Sequence, residues 1–98
     1  MANVRDNLDV RVGTDGRVRV SGELDLRTAP SLVAALSSLC RNGVKEVQLD
    51  LSSVSFIDSS GMNALVCAER NGLRLHLAGS SPTVDRVLEI GGLLERWH

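Results

Sequence analysis

The sequence is nearly without aromatic residues: one Phe, one Trp and no Tyr among 98 residues. No platform for stacking bases can be assembled from these. Runs of Lys or Arg are missing as well, and the formal net charge is −1 at pH 7. A basic patch is the usual footprint of a nucleic-acid binder, so no nucleic-acid partner is expected. Histidine is confined to His76 and His98; His76 reads as a solvated residue of an alternating strand and His98 is terminal. With no Gly-x-Ser-x-Gly elbow and no base to serve a serine, hydrolysis is not expected. Nor is there a phosphate-cradling loop of Walker type, so the chain should not be a kinase. Cys40 and Cys67 have no Cys-x-x-Cys spacing and no matching His cluster; both fall within helical patterns and read as small apolar core residues in a reducing compartment. No catalytic residue, metal or cofactor is expected. No apolar run is long enough to cross a bilayer, and Met1 to Asn7 is too polar for a secretory leader. A cytoplasmic protein without a membrane partner is the expectation.

What is present is an ordinary globular composition, 43% hydrophobic, in a chain long enough for one small domain. The expected organisation is a flexible N-terminus over 1–7, a domain over 8–94 and a short tail over 95–98. Leu8, Val10 and Val12 alternate with Asp9 and Arg11, and Val18 and Val20 alternate with Arg17 and Arg19. Joined by Gly13-Thr14-Asp15-Gly16, these read as a β-hairpin. The chain is expected to leave the sheet over Ser21–Leu26. Thr28 is placed to cap a first helix, with Pro30 in its first turn and an apolar stripe of Leu32, Val33, Leu36, Leu39 and Cys40. Val47, Leu49 and Leu51 mark a third strand, and Met62 to Arg70 a second helix. Leu73, Leu75 and Leu77 mark a fourth strand. Ser81 and Pro82 open a third helix, whose apolar face is Val84, Val87, Leu88 and Ile90.

All four strands alternate apolar with polar residues. A sheet buried on both faces would be written as continuous apolar runs. The predicted fold is α/β: a single domain with a mixed four-stranded sheet in the order β-β-α-β-α-β-α, helices mainly on one face and the other face largely wet, each crossover right-handed.

The stretch from Ser52 to Met62 lies between the third strand and the second helix, and it is the centre of the functional reading. Asp58, Ser59 and Ser60 stand where the helix begins, and all three are good capping types. A hydroxyl there faces unpaired backbone N–H groups and the positive end of the helix dipole, a suitable place to carry a phosphate. By this reading alone Ser59 is either a helix cap or a modification site.

Phe56-Ile57-Asp58-Ser59-Ser60-Gly61-Met62 resembles the signature of the STAS domain, and within it the anti-sigma factor antagonists of bacterial partner-switching systems. Their pattern is an apolar residue, then Asp-Ser-Ser/Thr-Gly-Leu opening a helix; here Met stands for Leu. Gly22-Glu23-Leu24-Asp25 with Thr28-Ala29, and Ser81-Pro82-Thr83-Val84 with Leu88 and Gly92-Leu93, resemble two further family stretches in the right order. The resemblance implies an antagonist that binds an anti-sigma factor, itself a serine kinase, and so frees a sigma factor. That kinase would phosphorylate Ser59 and end the complex, and a serine phosphatase would restore it. Ser60 and Gly61 neighbour the acceptor, and Asp25 and Asp58 match acidic positions of the family. Asp25 reads equally as a strand terminator. Met62, Val66 and Glu69 share a side of the second helix away from Ala64, Leu65 and Ala68. They form either a partner-binding patch or peripheral core. Family members often continue into a further helix beyond the position of Trp97-His98, so the role of such a helix stays open. The alternative function is a STAS module that does not switch, a scaffold of a stress-signalling assembly or an accessory subunit of a transporter.

Overall fold

The computed structural model describes residues 8–14 and 16–97. The expected flexible end, 1–7, lies outside the described residues. The elements are β1 (Leu8–Val12), β2 (Arg17–Leu24), α1 (Ala29–Arg41), β3 (Glu46–Ile57), α2 (Ser59–Arg70), β4 (Arg74–Ser80), α3 (Pro82–Ile90) and α4 (Leu94–Trp97). The sheet runs β1-β2-β3-β4 in space, the order of the sequence. The hairpin pairs Val12 with Val18 and Leu8 with Gly22, antiparallel. β2, β3 and β4 are parallel, as strands joined through crossover helices must be.

The alternation decides which face is covered. Val18, Val20, Leu24, Val47, Leu49 and Leu51 are each 0% exposed and join the core beneath the helices. Arg17, Arg19, Gln48 and Arg74 are exposed, on the uncovered face. Leu32 and Leu36 of α1, Leu65 of α2, and Val84 and Leu88 of α3 enter the same cluster. At about 25 cal/mol per Å2, a fully buried Leu or Val contributes roughly 1.5–3 kcal/mol, so this face dominates the stability.

Three expectations are corrected. Ser21–Leu24 does not leave the sheet; it is the end of β2. Correspondingly, Ser52–Ile57 is not a loop but the second half of β3, because Ser53, Val54, Phe56 and Ile57 pair with Ser21, Gly22, Glu23 and Leu24. Register shifts beside Ser21 and Glu23 break the two-residue period, so the inward positions slip from 47, 49 and 51 to Val54 and Ile57. A bulge of this kind hides a strand from periodicity. Finally, residues 95–97 are not a tail. α4 returns to the body and Trp97 is buried at 2% exposure. Its indole Nε1–H donates to Glu69 Oε2 at 2.9 Å. No helix among the described residues is long and apolar enough to cross a membrane.

Candidate functional site

Leu24 of β2 pairs with Ile57 of β3, so Asp25 and Asp58 leave the sheet from neighbouring strand ends. Both turn out of an extended strand into the start of a helix. Asp58 N–H still donates to Leu24 C=O at 3.2 Å, and the two exits are stitched together there.

Asp58 is the N-cap of α2. Its backbone is extended (φ −123°, ψ −170°), and Oδ1 accepts from Ser60 N–H at 2.9 Å and Gly61 N–H at 3.2 Å. Its main-chain carbonyl accepts the first helical bond from Met62 N–H at 3.1 Å. A cap of this kind is worth ~0.5–2 kcal/mol. It also changes the expected electrostatics. The N–H groups of Ser60 and Gly61 are not unpaired, because the Asp58 carboxylate already occupies them.

The next three positions are sorted by exposure: Ser59 exposed, Ser60 half-buried, Gly61 buried. Gly61 has no space for a side chain. A Cβ there would stand 2.7 Å from Leu24 Cγ, 2.9 Å from Ile57 Cγ1 and 2.9 Å from Leu24 C=O. Glycine at this position lets the helix start press directly onto the end of β2, leaving the Ser59 hydroxyl outermost.

Asp25 organises the other exit. Its Oδ1 accepts from Arg27 N–H at 3.0 Å and Thr28 N–H at 3.1 Å, and its carbonyl accepts from Ala29 N–H at 2.8 Å. Thr28 is not the side-chain cap expected of it. It is 4% exposed, its backbone is already helical, and its hydroxyl makes no cap bond to α1. That hydroxyl points backwards, donating to Glu23 C=O at 2.7 Å and accepting from Asp25 N–H at 2.9 Å. Asp25 therefore supplies the capping group for α1, and Thr28 clasps the turn shut from beneath. Partial desolvation opposes ionisation of Asp25, but hydrogen bonds from Thr28 and Arg27 and the charge of Arg27 outweigh it, holding the carboxyl below its ordinary value. An Asp-x-x-Thr spacing is the sequence signal for this clasp, which a reading of Thr28 as a simple cap passes over.

Leu26, within this clasped turn, is 75% exposed. It stands at the lip of a hollow of about 540 Å3 between α1 and α2, walled in part by Pro30, Val33 and Ala34 on one side and Ser60, Ala64 and Cys67 on the other. Sequence periodicity does not find this feature, since it depends on how two helices lie side by side.

Met62, Val66 and Glu69, read as either a docking patch or peripheral core, are each half-buried. Met62 and Val66 are packed against the core, and the Met62 thioether lies beside Gly91 at the end of α3. Glu69 is taken by the returning chain: besides Trp97, Arg96 Nη2 lies 2.7 Å from its Oε1, a contact of charges rather than a directed N–H···O bond. Cys40 and Cys67 are free, and the expectation that both lie in the core is corrected: Cys40 is half-buried and Cys67 exposed, because Ala64, Leu65 and Ala68 form the buried face of α2 and Cys67 faces the hollow instead. Groups of three or more metal-ligating side chains are absent among the described residues.

Comparison with known proteins follows this geometry closely. The family model for the STAS domain matches residues 7–97. An anti-sigma-B factor antagonist of Staphylococcus aureus (strain NCTC 8325 / PS 47) is 31% identical over 99 residues, covering 94% of this chain and 92% of its own. One from Staphylococcus epidermidis is 33% identical over 85 residues, covering 83% and 79%. Among solved structures, an anti-sigma factor antagonist from Mycobacterium paratuberculosis superposes with a TM-score of 0.80 at 27% identity, covering 94% of this chain and 84% of that one. The antagonist SpoIIAA in its unphosphorylated form gives 0.75 at 27% identity, covering 92% and 84%. The phosphorylated form of the Bacillus protein gives 0.64 at 26% identity, covering 92% and 86%.

Proposed function

The chain belongs to the STAS family, among its anti-sigma factor antagonists, and from that premise we propose that it is a phosphorylation-controlled partner switch centred on Ser59. Unmodified, it binds an anti-sigma factor that is also a serine kinase and frees the sigma factor. Phosphorylated on Ser59, it lets go, and a serine phosphatase resets it. The chain does no chemistry of its own; it is substrate and ligand. The observation that carries this reading is the exposure pattern at the start of α2, where Ser59 alone of Ser59, Ser60 and Gly61 is open to a kinase. Relatives of this fold solved in both phosphorylated and unphosphorylated forms support it.

The switch follows from local electrostatics. A phosphoserine adds about −1.5 to −2 charges at neutral pH. Asp58 already holds the N–H groups of Ser60 and Gly61, so the phosphate arrives beside a carboxylate. The helix dipole returns ~0.3–1 kcal/mol, enough for the fold to survive. Against a partner carboxylate ~6 Å away, each added charge costs roughly 3 kcal/mol at an effective dielectric of ~20. That is on the order of a hundredfold in affinity, so a micromolar complex dissolves. Asp25 and Asp58 give the acceptor an acidic surround and fix its position through their caps.

The test is capture from the native lysate with wild type, Ser59→Ala and Ser59→Asp as bait. Recovery of an anti-sigma factor kinase on the first two and not on Ser59→Asp is expected. The same partner on all three would make Ser59 a structural residue and the chain a module that does not switch.

A further inference from the structure

α1 and α2 lie side by side on the sheet, and their outer face carries almost no charge. From Ala29 to Cys40, and again from Ser59 to Ala68, not one residue is charged. Solvent-facing helices ordinarily place Asp, Glu, Lys or Arg on their outward positions; here the exposed residues are Pro30, Ser31, Ala34, Ser59, Asn63 and Cys67. Depletion of charge is what marks the centre of a protein interface. Along the seam runs the hollow of about 540 Å3 with Leu26 on its lip. The clasp of Thr28 and Asp25 holds that leucine out in water, so little ordering remains to be done on binding.

Charge returns only at the two ends. Asp25 and Asp58 stand, with Arg27 beside Asp25, at the end where the helices begin, which is net acidic. Arg41 and Arg70 stand in the last turns, and neither pairs with a carboxylate among the described residues. A helix of 13 residues puts the two poles about 20 Å apart. Such a seam has a direction as well as a shape.

We propose that the α1/α2 groove is the seat of the anti-sigma factor, and that its occupant is an apolar segment of that protein bearing Asp or Glu at the end lying over Arg41 and Arg70. This rests on the antagonist reading and extends it. Ser59 is the modifiable rim at one end, while the groove and Leu26 supply most of the contact. The division of labour lets one phosphate release a partner held mainly elsewhere, and it lets the kinase find a serine in a folded domain.

The experiment uses the purified anti-sigma factor recovered on the wild-type chain, titrated calorimetrically against the full chain. Ala34→Glu and Cys67→Glu place a charge in the groove at exposed helical positions, where Glu is a good helix former. Each is expected to weaken binding thirtyfold or more with the melting temperature unchanged. Arg41→Glu combined with Arg70→Glu is expected to weaken it about tenfold at low salt, the loss fading as salt rises. Arg86→Glu on α3 is expected to bind as wild type. If both groove variants bind as wild type while Ser59→Asp does not, the switch stands and the groove is not the seat. If the groove variants lose binding and Ser59→Asp keeps it, the groove stands and the Ser59 switch fails.

Discussion

Replacing Gly61 by alanine is a sharp test of how the start of α2 is held. The added Cβ meets Leu24 Cγ at 2.7 Å, Ile57 Cγ1 at 2.9 Å and Leu24 C=O at 2.9 Å, all closer than carbon tolerates. Two of these atoms belong to buried side chains and the third to a sheet backbone, so none can swing aside cheaply. Overpacking of this kind costs about 1–3 kcal/mol. Alanine returns at most ~1 kcal/mol of helix propensity, and less in a first turn. A net loss of roughly 1–2 kcal/mol remains, which for a domain this size lowers the melting temperature by on the order of 5–15 °C. Urea unfolding followed by the single tryptophan, with circular dichroism as a second probe, measures it. Partner affinity should fall as well, because relief of the clash lifts the helix start and moves Ser59. A Gly61→Ala variant as stable as wild type would refute the close packing of α2 on the end of β2.

Other outcomes follow from the same geometry. Asp58→Ala removes the cap accepting from Ser60 and Gly61 and should cost ~1 kcal/mol in urea unfolding, whereas Asp58→Asn should cost less than half of that. Trp97→Ala empties a buried site and frees Glu69; a loss of about 3–5 kcal/mol by circular dichroism is expected, and a loss under ~1 kcal/mol would mean that α4 is dispensable. In Asp50, hydrogen bonds from Ser52 and the nearby Arg19 hold the carboxyl below its ordinary value of 3.8, and Asp25 is likewise depressed. Carboxyls depressed in the folded state contribute stability that is complete above the unfolded value and is lost as pH falls through the folded one. Stability should therefore be level near neutrality and decline below about pH 4, with a shallower decline in Asp50→Asn; an unchanged acid limb in that variant would contradict the assignment.

How much of this was legible in the residues depends on whether the signal was local. The alternation of Val18, Val20, Val47, Leu49 and Leu51 decided the covered face, and three register-matched stretches carried the family. The second half of β3 was hidden because Ser52, Ser53 and Ser55 look like a loop, while register shifts against β2 break the period that defines a strand. Thr28 has the residue type and position of a cap, but its hydroxyl turns back to Glu23, and only the folded turn reveals that. For Met62 and Val66 the residues left two readings open, docking patch or peripheral core; the structure packs both, half-buried, against the core, with the Met62 thioether beside Gly91. The groove had no sequence signature except its missing charges, which gain meaning only when two helices 30 residues apart in numbering are found in contact.

The central claim is that one phosphate on Ser59 breaks the complex without unfolding the chain. The direct measurement is calorimetric titration of the purified anti-sigma factor with the unmodified chain and with the same chain phosphorylated by that kinase, the site located by mass spectrometry. A single phosphate on Ser59, an affinity at least a hundredfold weaker and an unchanged circular dichroism spectrum are expected. Equal affinity of the two forms, or a phosphate on Ser60 with Ser59 unmodified, would contradict the account.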